Sequence, residues 1–193
     1  MKPSNQPGLF AENPSLPDGF KYQTEFISDQ EERDLLLWAK ALPFQSFEFH
    51  GFTGKRRVVS FGWRYDFNDR TLQKADDMPS VLLPLRERAA AFAGSGASSF
   101  QHVLITEYAP GAGIGWHRDK AVFGDVVGIS LASPCDFRFR RARGNTWERI
   151  TVPAEARSAY LLTGPARSEW EHSIQAVDRL RYSITFRAFR SAK

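Results

Sequence analysis

The chain has 193 residues, 42% hydrophobic and 25% charged, enough to bury a core and too apolar for general disorder. Lys and Arg number 26 against 22 acids, a net charge of +4 that permits a nucleic-acid partner without requiring one. A single cysteine, Cys135, excludes a disulfide framework and a cysteine-rich zinc site, and no apolar stretch approaches the roughly 18 residues of a membrane span. The N-terminus carries no apolar run of the signal-peptide kind, so a cytoplasmic monomer is the expectation.

Residues 1–19, rich in Pro, Asn, Ser and Gly, predict an irregular arm, and residues 20–193 a single domain. Phe20–Ile27 alternates as a short strand. Ser28 and Glu31 form a capping-box pattern, and the helix behind it runs to about Leu42, with Leu35, Leu36, Trp38, Ala39 and Leu42 on its apolar face and Pro43 after its end. Phe44–Phe52 and Val58–Phe61 read as strands, with Lys55-Arg56-Arg57 before the second and Gly62-Trp63-Arg64-Tyr65 after it. Basic residues beside aromatics suit a nucleic-acid surface; a hairpin with its rings in the core reads equally well. Asp69–Pro79 reads as loop. A helix is predicted from near Ser80 to Gly94, with Pro84 in its first turn and Leu82, Leu85, Ala89 and Phe92 buried.

From Phe100 the pattern is β. Strands are predicted over His102–Tyr108, Val126–Leu131, Asp136–Arg141, Trp147–Val152, Ser158–Thr163, His172–Val177 and Arg181–Phe189. Many short strands with Gly/Pro turns indicate a mainly β member of the α+β class, a double-sheet jelly roll. Arg138, Arg140, Arg141 and Arg143 would either hold phosphates or guard a strand edge. Cys135 reads as a small core residue.

The candidate chemistry lies in His117-Arg118-Asp119. Two residues apart on an extended segment, the His and the Asp point the same way. One more His would complete a 2-His-1-carboxylate set, which suits Fe(II) and leaves coordination positions open. The chain has four His. His172 stands downstream in a strand-like context; His50 beside a turn and His102 toward a sheet or solvent are given no role. Arg181, Ser183, Thr185 and Arg187 share one face of the last strand, and arginine offers a planar fork for a carboxylate.

Four pieces occur in order: Tyr108-Ala109-Pro110-Gly111, His117-Arg118-Asp119-Lys120, His172-Ser173-Ile174-Gln175 and Arg181-Tyr182-Ser183-Ile184-Thr185-Phe186-Arg187. In them the chain resembles the AlkB-like Fe(II)/2-oxoglutarate-dependent dioxygenases, over about residues 55–190. The resemblance implies a double-stranded β-helix (jelly roll, cupin-like) with helices packed on one sheet. It implies iron held by His117, Asp119 and His172, with 2-oxoglutarate and O2 as co-substrates. Arg181 and the Tyr108 hydroxyl would take the 5-carboxylate, Arg187 would support the metal end, and Thr106 and Ser183 would line the same pocket. Residues 55–70 would form a substrate lid, with Trp63, Tyr65, Arg57 and Lys120 as substrate contacts.

The implied reaction demethylates N-alkylated bases in DNA or RNA, as in DNA repair, releasing formaldehyde, succinate and CO2 from a base that is single-stranded or flipped out. Thr106 stands where the family often has Asn, and Ala121 where the nucleobase demethylases often carry an acid after the HxD-Lys run. Ala121 and the modest charge keep open the same chemistry on a protein side chain or small molecule; a non-catalytic nucleic-acid-binding jelly roll is the other alternative, against which the complete triad and both arginines argue.

Overall fold

The computed structural model describes residues 16–49, 52–66 and 71–190. Most of the predicted arm, His50 and the turn at Gly51 lie outside them. The elements are β1 (Phe20–Gln23), α1 (Asp29–Lys40), β2 (Gln45–Phe49), β3 (Phe52–Phe61), β4 (Trp63–Asp66), β5 (Thr71–Lys74), α2 (Leu83–Ala93), β6 (Phe100–Tyr108), β7 (Ile114–His117), β8 (Phe123–Leu131), β9 (Cys135–Arg143), β10 (Thr146–Ala154), β11 (Ala159–Leu162), α3 (Gly164–Ser168), β12 (Glu171–Ile174) and β13 (Arg181–Phe189). Among the described residues no helix is long and apolar enough to cross a membrane.

Local rules set the helix ends. Ser28 Oγ accepts from the Glu31 amide while the Glu31 carboxylate accepts from the Ser28 amide, the reciprocal cap read from the sequence. Pro84 falls in the first turn of α2, and Gly94 ends that helix at φ 72°. β5 falls where the sequence reads as loop, and the extended segment expected at His117 is the strand β7. β5 pairs with β4 from Trp63↔Lys74 to Asp66↔Thr71, and β7 pairs with β12 through His172↔His117. β7 is held by a partner distant in sequence, which local patterning does not reveal, and β5 by its neighbour β4 in a hairpin.

The larger sheet has the order β1-β11-β8-β13-β6-β3-β2 and the smaller β10-β9-β12-β7; β4 and β5 form a separate pair. All of the pairings are antiparallel. The result is a double-stranded β-helix with helices on one sheet. The outer face of the larger sheet is apolar: Val103 and Ile105 of β6, Val127 and Ile129 of β8, and Ile184 and Phe186 of β13 pack with Leu35 and Ala39 of α1 and Leu85 and Ala89 of α2. A second cluster fills the space between the sheets, with Phe137 and Phe139 of β9, Tyr160 of β11 and Ile174 of β12. β13 lies between β6 and β8, and Arg181–Phe186 are buried on both faces. That is why its apolar residues alternate with Arg, Ser and Thr: one face meets the helices and the other the barrel interior.

Gly62 sets the corner between β3 and β4. Its φ is +76°, and a Cβ there would overlap the Gln101 carbonyl oxygen. Its amide donates to Asp76 O at 2.6 Å, which fixes where the β4–β5 hairpin leaves the sheet. Gly62→Ala is expected to cost about 1–3 kcal/mol and lower the denaturant midpoint. Gly96→Ala, with only ordinary contact at 3.9 Å, is expected to stay near wild type.

Candidate functional site

β7 and β12 are edge and neighbour in the smaller sheet, and their register sets His117 opposite His172. The imidazole centroids lie 4.2 Å apart. His172 stacks on Phe137 with rings 5.3 Å apart and 16° from parallel, which fixes its orientation. His117 Nδ1 lies 2.9 Å from Gly115 O. With Nδ1–H donating to that carbonyl, Nε2 presents its lone pair. Asp119 follows β7 and offers Oδ2 at 3.8 Å to His172 Nε2. Its Oδ1 accepts from Arg187 Nε at 3.0 Å and Nη2 at 2.9 Å.

Two metal–ligand bonds of about 2.1 Å span at most about 4.2 Å, so one ion can bridge His172 and Asp119. The three side chains converge without closing a cage: among the described residues no group of three His, Cys, Asp or Glu meets the compactness of a formed metal site.

Protonation states suit metal ligation. Burial, then the field of His117, pushes His172 down to about 3, and burial likewise lowers His117, so both rings are neutral at pH 7. Burial alone would raise Asp119, but Arg187 leads the positive groups that hold it well below the usual carboxylate range. Two neutral imidazoles and one carboxylate are the donor types that a non-haem Fe(II) takes.

The β6–β13 register places Tyr108 opposite Arg181, Thr106 opposite Ser183 and His102 opposite Arg187. Arg181 is fully buried. Its Nε and Nη2 donate to Ser130 Oγ at 3.2 and 3.0 Å, and its guanidinium lies 4.9 Å from the Tyr108 ring. Among the described residues Nη1 has no hydrogen-bond partner. A buried cation with a free donor and no carboxylate beside it is a costly arrangement by itself and fits the distal carboxylate of 2-oxoglutarate. Thr106 and Ser183 are buried on the same inward face.

The lid candidates divide. Trp63 meets Phe189 edge-on at 5.7 Å; Phe189 stacks on Phe123, and Phe123 lies 5.4 Å from the Arg187 guanidinium. Lys120 Nζ lies 5.6 Å from the Tyr65 ring. These contacts connect the β4–β5 hairpin to the metal end of the barrel. Arg57 does not join them. Its guanidinium pairs with Glu107 at 2.6 Å, and Glu107 also accepts from Tyr182 Oη at 2.8 Å. That puts Arg57 on the helix-facing side of the sheet, because alternation along β3 sends it outward and turns Arg56 inward.

His102, expected to face a sheet or solvent, is buried against Phe123 on the interior face beside Arg187. Other residues went unread. Ser130 meets Arg181 through the β8–β13 pairing. Arg167 of α3, 5% exposed, donates to the carbonyls of Lys120, Phe123 and Gly124 and pins the segment after Asp119. Tyr160 lies where a side chain on Gly128 would stand. Only the absence of a side chain at Gly128 was visible in the sequence, and it does not say what fills the space.

Fold, donor set and buried arginine define a non-haem iron oxygenase of the jelly-roll type. Residues 39–187 match the 2OG-Fe(II) oxygenase superfamily, and the chain belongs to that superfamily, whose dioxygenase chemistry uses Fe(II), 2-oxoglutarate and O2. It is 30% identical to the "Alkylated DNA repair protein ALKBH8 homolog" of Arabidopsis thaliana, across 96% of this chain and 56% of that protein. It is 28% identical to the "tRNA (carboxymethyluridine(34)-5-O)-methyltransferase ALKBH8" of Mus musculus, across 83% of this chain and 24% of that one. The chain thus spans about half or less of these curated relatives. Among solved structures, OsALKBH1 superposes with a TM-score of 0.71 at 15% identity, covering 90% of this chain and 98% of the other. A Pseudomonas putida prolyl-4-hydroxylase gives 0.62 at 14%, covering 90% and 94%. At these identities the structural likenesses speak to the fold.

His102 gives a test through pH. Burial, then the charge of Arg187, lowers it from 6.5 to about 3. The folded protein therefore leaves His102 neutral while the unfolded chain takes up a proton below about pH 6.5. Stability is expected to fall as pH drops from about 6.5 toward 3, by up to about 1.4 kcal/mol per pH unit from this residue. Denaturant unfolding across that window is expected to show a flatter slope in His102→Leu.

Proposed function

We propose that this oxygenase oxidises an alkyl C–H bond on a base of DNA or RNA, and that an N-alkyl group is removed when the oxidised carbon is bonded to nitrogen. The observation that carries this reading is the convergence of His117, His172 and Asp119 with a fully buried, partly unpaired Arg181 inside one barrel, beside a hairpin whose Trp63 and Tyr65 reach Phe189 and Lys120. In this reading His117, Asp119 and His172 hold Fe(II), and Arg181 with the Tyr108 hydroxyl holds the 5-carboxylate of 2-oxoglutarate. Thr106 and Ser183 line that pocket.

When bound, iron with 2-oxoglutarate and O2 supplies oxidative decarboxylation, giving succinate and CO2 and placing one oxygen atom in the substrate C–H bond. The protein's own residues orient and shield. Arg187 fixes the Asp119 carboxylate, and neutral imidazoles keep their lone pairs for the metal. Trp63, Tyr65 and Lys120 contact the substrate from the hairpin side. The donors lie inside the barrel, so a base must be flipped or single-stranded to reach them. An N–CH2OH product is a hemiaminal and breaks down to N–H and formaldehyde. The printed names of the relatives, which refer to alkylated DNA repair and to tRNA, support a nucleic-acid substrate, as does the net charge of +4.

Anaerobic titration with Fe(II) and 2-oxoglutarate is expected to develop the visible metal-to-ligand charge-transfer band in wild type and not in Asp119→Ala. Arg181→Met is expected to raise the 2-oxoglutarate concentration needed by about 10–100-fold, the worth of a buried charged hydrogen bond. Methylated single-stranded oligonucleotides are expected to stimulate succinate release and yield formaldehyde. If no methylated DNA or RNA does so, the base reading fails and the oxygenase class stands.

A further inference from the structure

Along β3, Val59 and Phe61 pack outward with the helices, and Arg57 goes outward to Glu107. Arg56 therefore faces inward. The β3–β6 register sets Arg57 against Glu107 and Val58 against Thr106, which places Arg56 beside Tyr108. The loop after Tyr108 comes down over this end of β3: a Cβ at Gly111 would stand 3.9 Å from Lys55 Nζ.

The Arg56 guanidinium lies 3.7 Å from the centre of the Phe47 ring. Arg57, Arg88, Arg140, Arg141, Arg157 and Arg187 each have a carboxylate partner. Among the described residues no acid pairs with Arg56. Its titratable neighbours are the Tyr108 phenol, neutral at pH 7, and the Arg187 guanidinium, and its own charge acts on His117. A guanidinium stays protonated, so this is a partly dehydrated cation at the level of the proposed donor set, with a ring as its partner. Phe47 covers one face of the fork and leaves its N–H edge for a coplanar pair of oxygens.

Arg181 does not compete for the same anion. β6 separates β13 from β3, which sets the two backbones about 10 Å apart, and Arg181 is itself fully buried, with Nη1 unpaired among the described residues.

We propose that Arg56 is an anion site in the barrel mouth that selects substrates bearing a carboxylate or phosphate on the nucleotide that is oxidised. The proposal rests on the base-oxidation reading above and adds the substrate's charge to it. An oxyanion of either kind would share the fork edge of Arg56, and the selection would come from the cost of leaving that cation unpaired.

Calorimetry under anaerobic conditions, on protein loaded with Fe(II) and 2-oxoglutarate, tests it with uridine, orotidine and uridine 5′-monophosphate. These offer one ring neutral, with a carboxylate and with a phosphate. Wild type is expected to bind orotidine or the monophosphate at least about tenfold more tightly than uridine, and Arg56→Gln to bring the difference below about threefold. Which of the two anions is preferred identifies the source of the charge. Benzoate and phenyl phosphate, each against benzyl alcohol, carry the same anions without a nucleobase. If they alone show the Arg56-dependent preference, the anion site stands and the base reading fails. If wild type shows no preference for any of these anions, or Arg56→Gln keeps it, the proposal is overturned. Should Arg56→Gln not fold, Arg56→Lys keeps the charge without the fork. It is expected to lose at least about threefold of the preference, and an unchanged preference overturns the proposal.

Discussion

The Arg187–Asp119 ion pair is the contact on which the site depends. A carboxylate on the inner wall of a barrel is dehydrated, and dehydration favours its neutral form. Arg187 reverses that preference and, by holding Oδ1, also sets the direction of Oδ2. The pair joins the loop after β7 to β13, which packs between β6 and β8 with its central residues buried on both sides. A shift of one residue in β13 would turn Arg181 and Arg187 toward the helices and bring Ile184 and Phe186 into the interior. The apolar demand of the helix-facing side therefore fixes the register that aims the arginines.

Two further constraints stabilise that arrangement from outside the donor set. Arg167 ties α3 to three carbonyls between Lys120 and Gly124, so the chain after Asp119 is held by a buried guanidinium rather than by strand pairing. The aromatic series Phe123, Phe189 and Trp63 carries contact from the neighbourhood of Arg187 to the β4–β5 hairpin. The hairpin is thus positioned by the strand that also carries both arginines of the inner face.

The likeness in fold to a prolyl-4-hydroxylase, at 14% identity, shows how little of the barrel speaks for the substrate. The two barrels share their strand framework. In the function and the anion site proposed above, the residues that would distinguish substrates are Arg56, Trp63, Tyr65 and Lys120. Their chemistry is cationic and aromatic, the combination that suits an anionic, planar ligand.

The sequence by itself determined the elements whose signal is local and the chemistry whose spacing is short. The capping box at Ser28 and Glu31, the alternation of Phe137 and Phe139 with arginines, and the shared face of Arg181, Ser183, Thr185 and Arg187 were readable because one helix turn or one strand pleat encodes each of them. The candidate set His117, Asp119 and His172 was readable because few histidines were available and the motif order was complete. Tertiary structure decided what depends on contacts distant along the chain. It alone paired β7 with β12, gave Ser130 to Arg181 and set Arg167 beneath the Asp119 loop. It also moved His102 into the interior and exchanged Arg57 for Arg56 as the inward cation. A period of two says that adjacent residues face opposite sides; only the partner on each side says which side is the core.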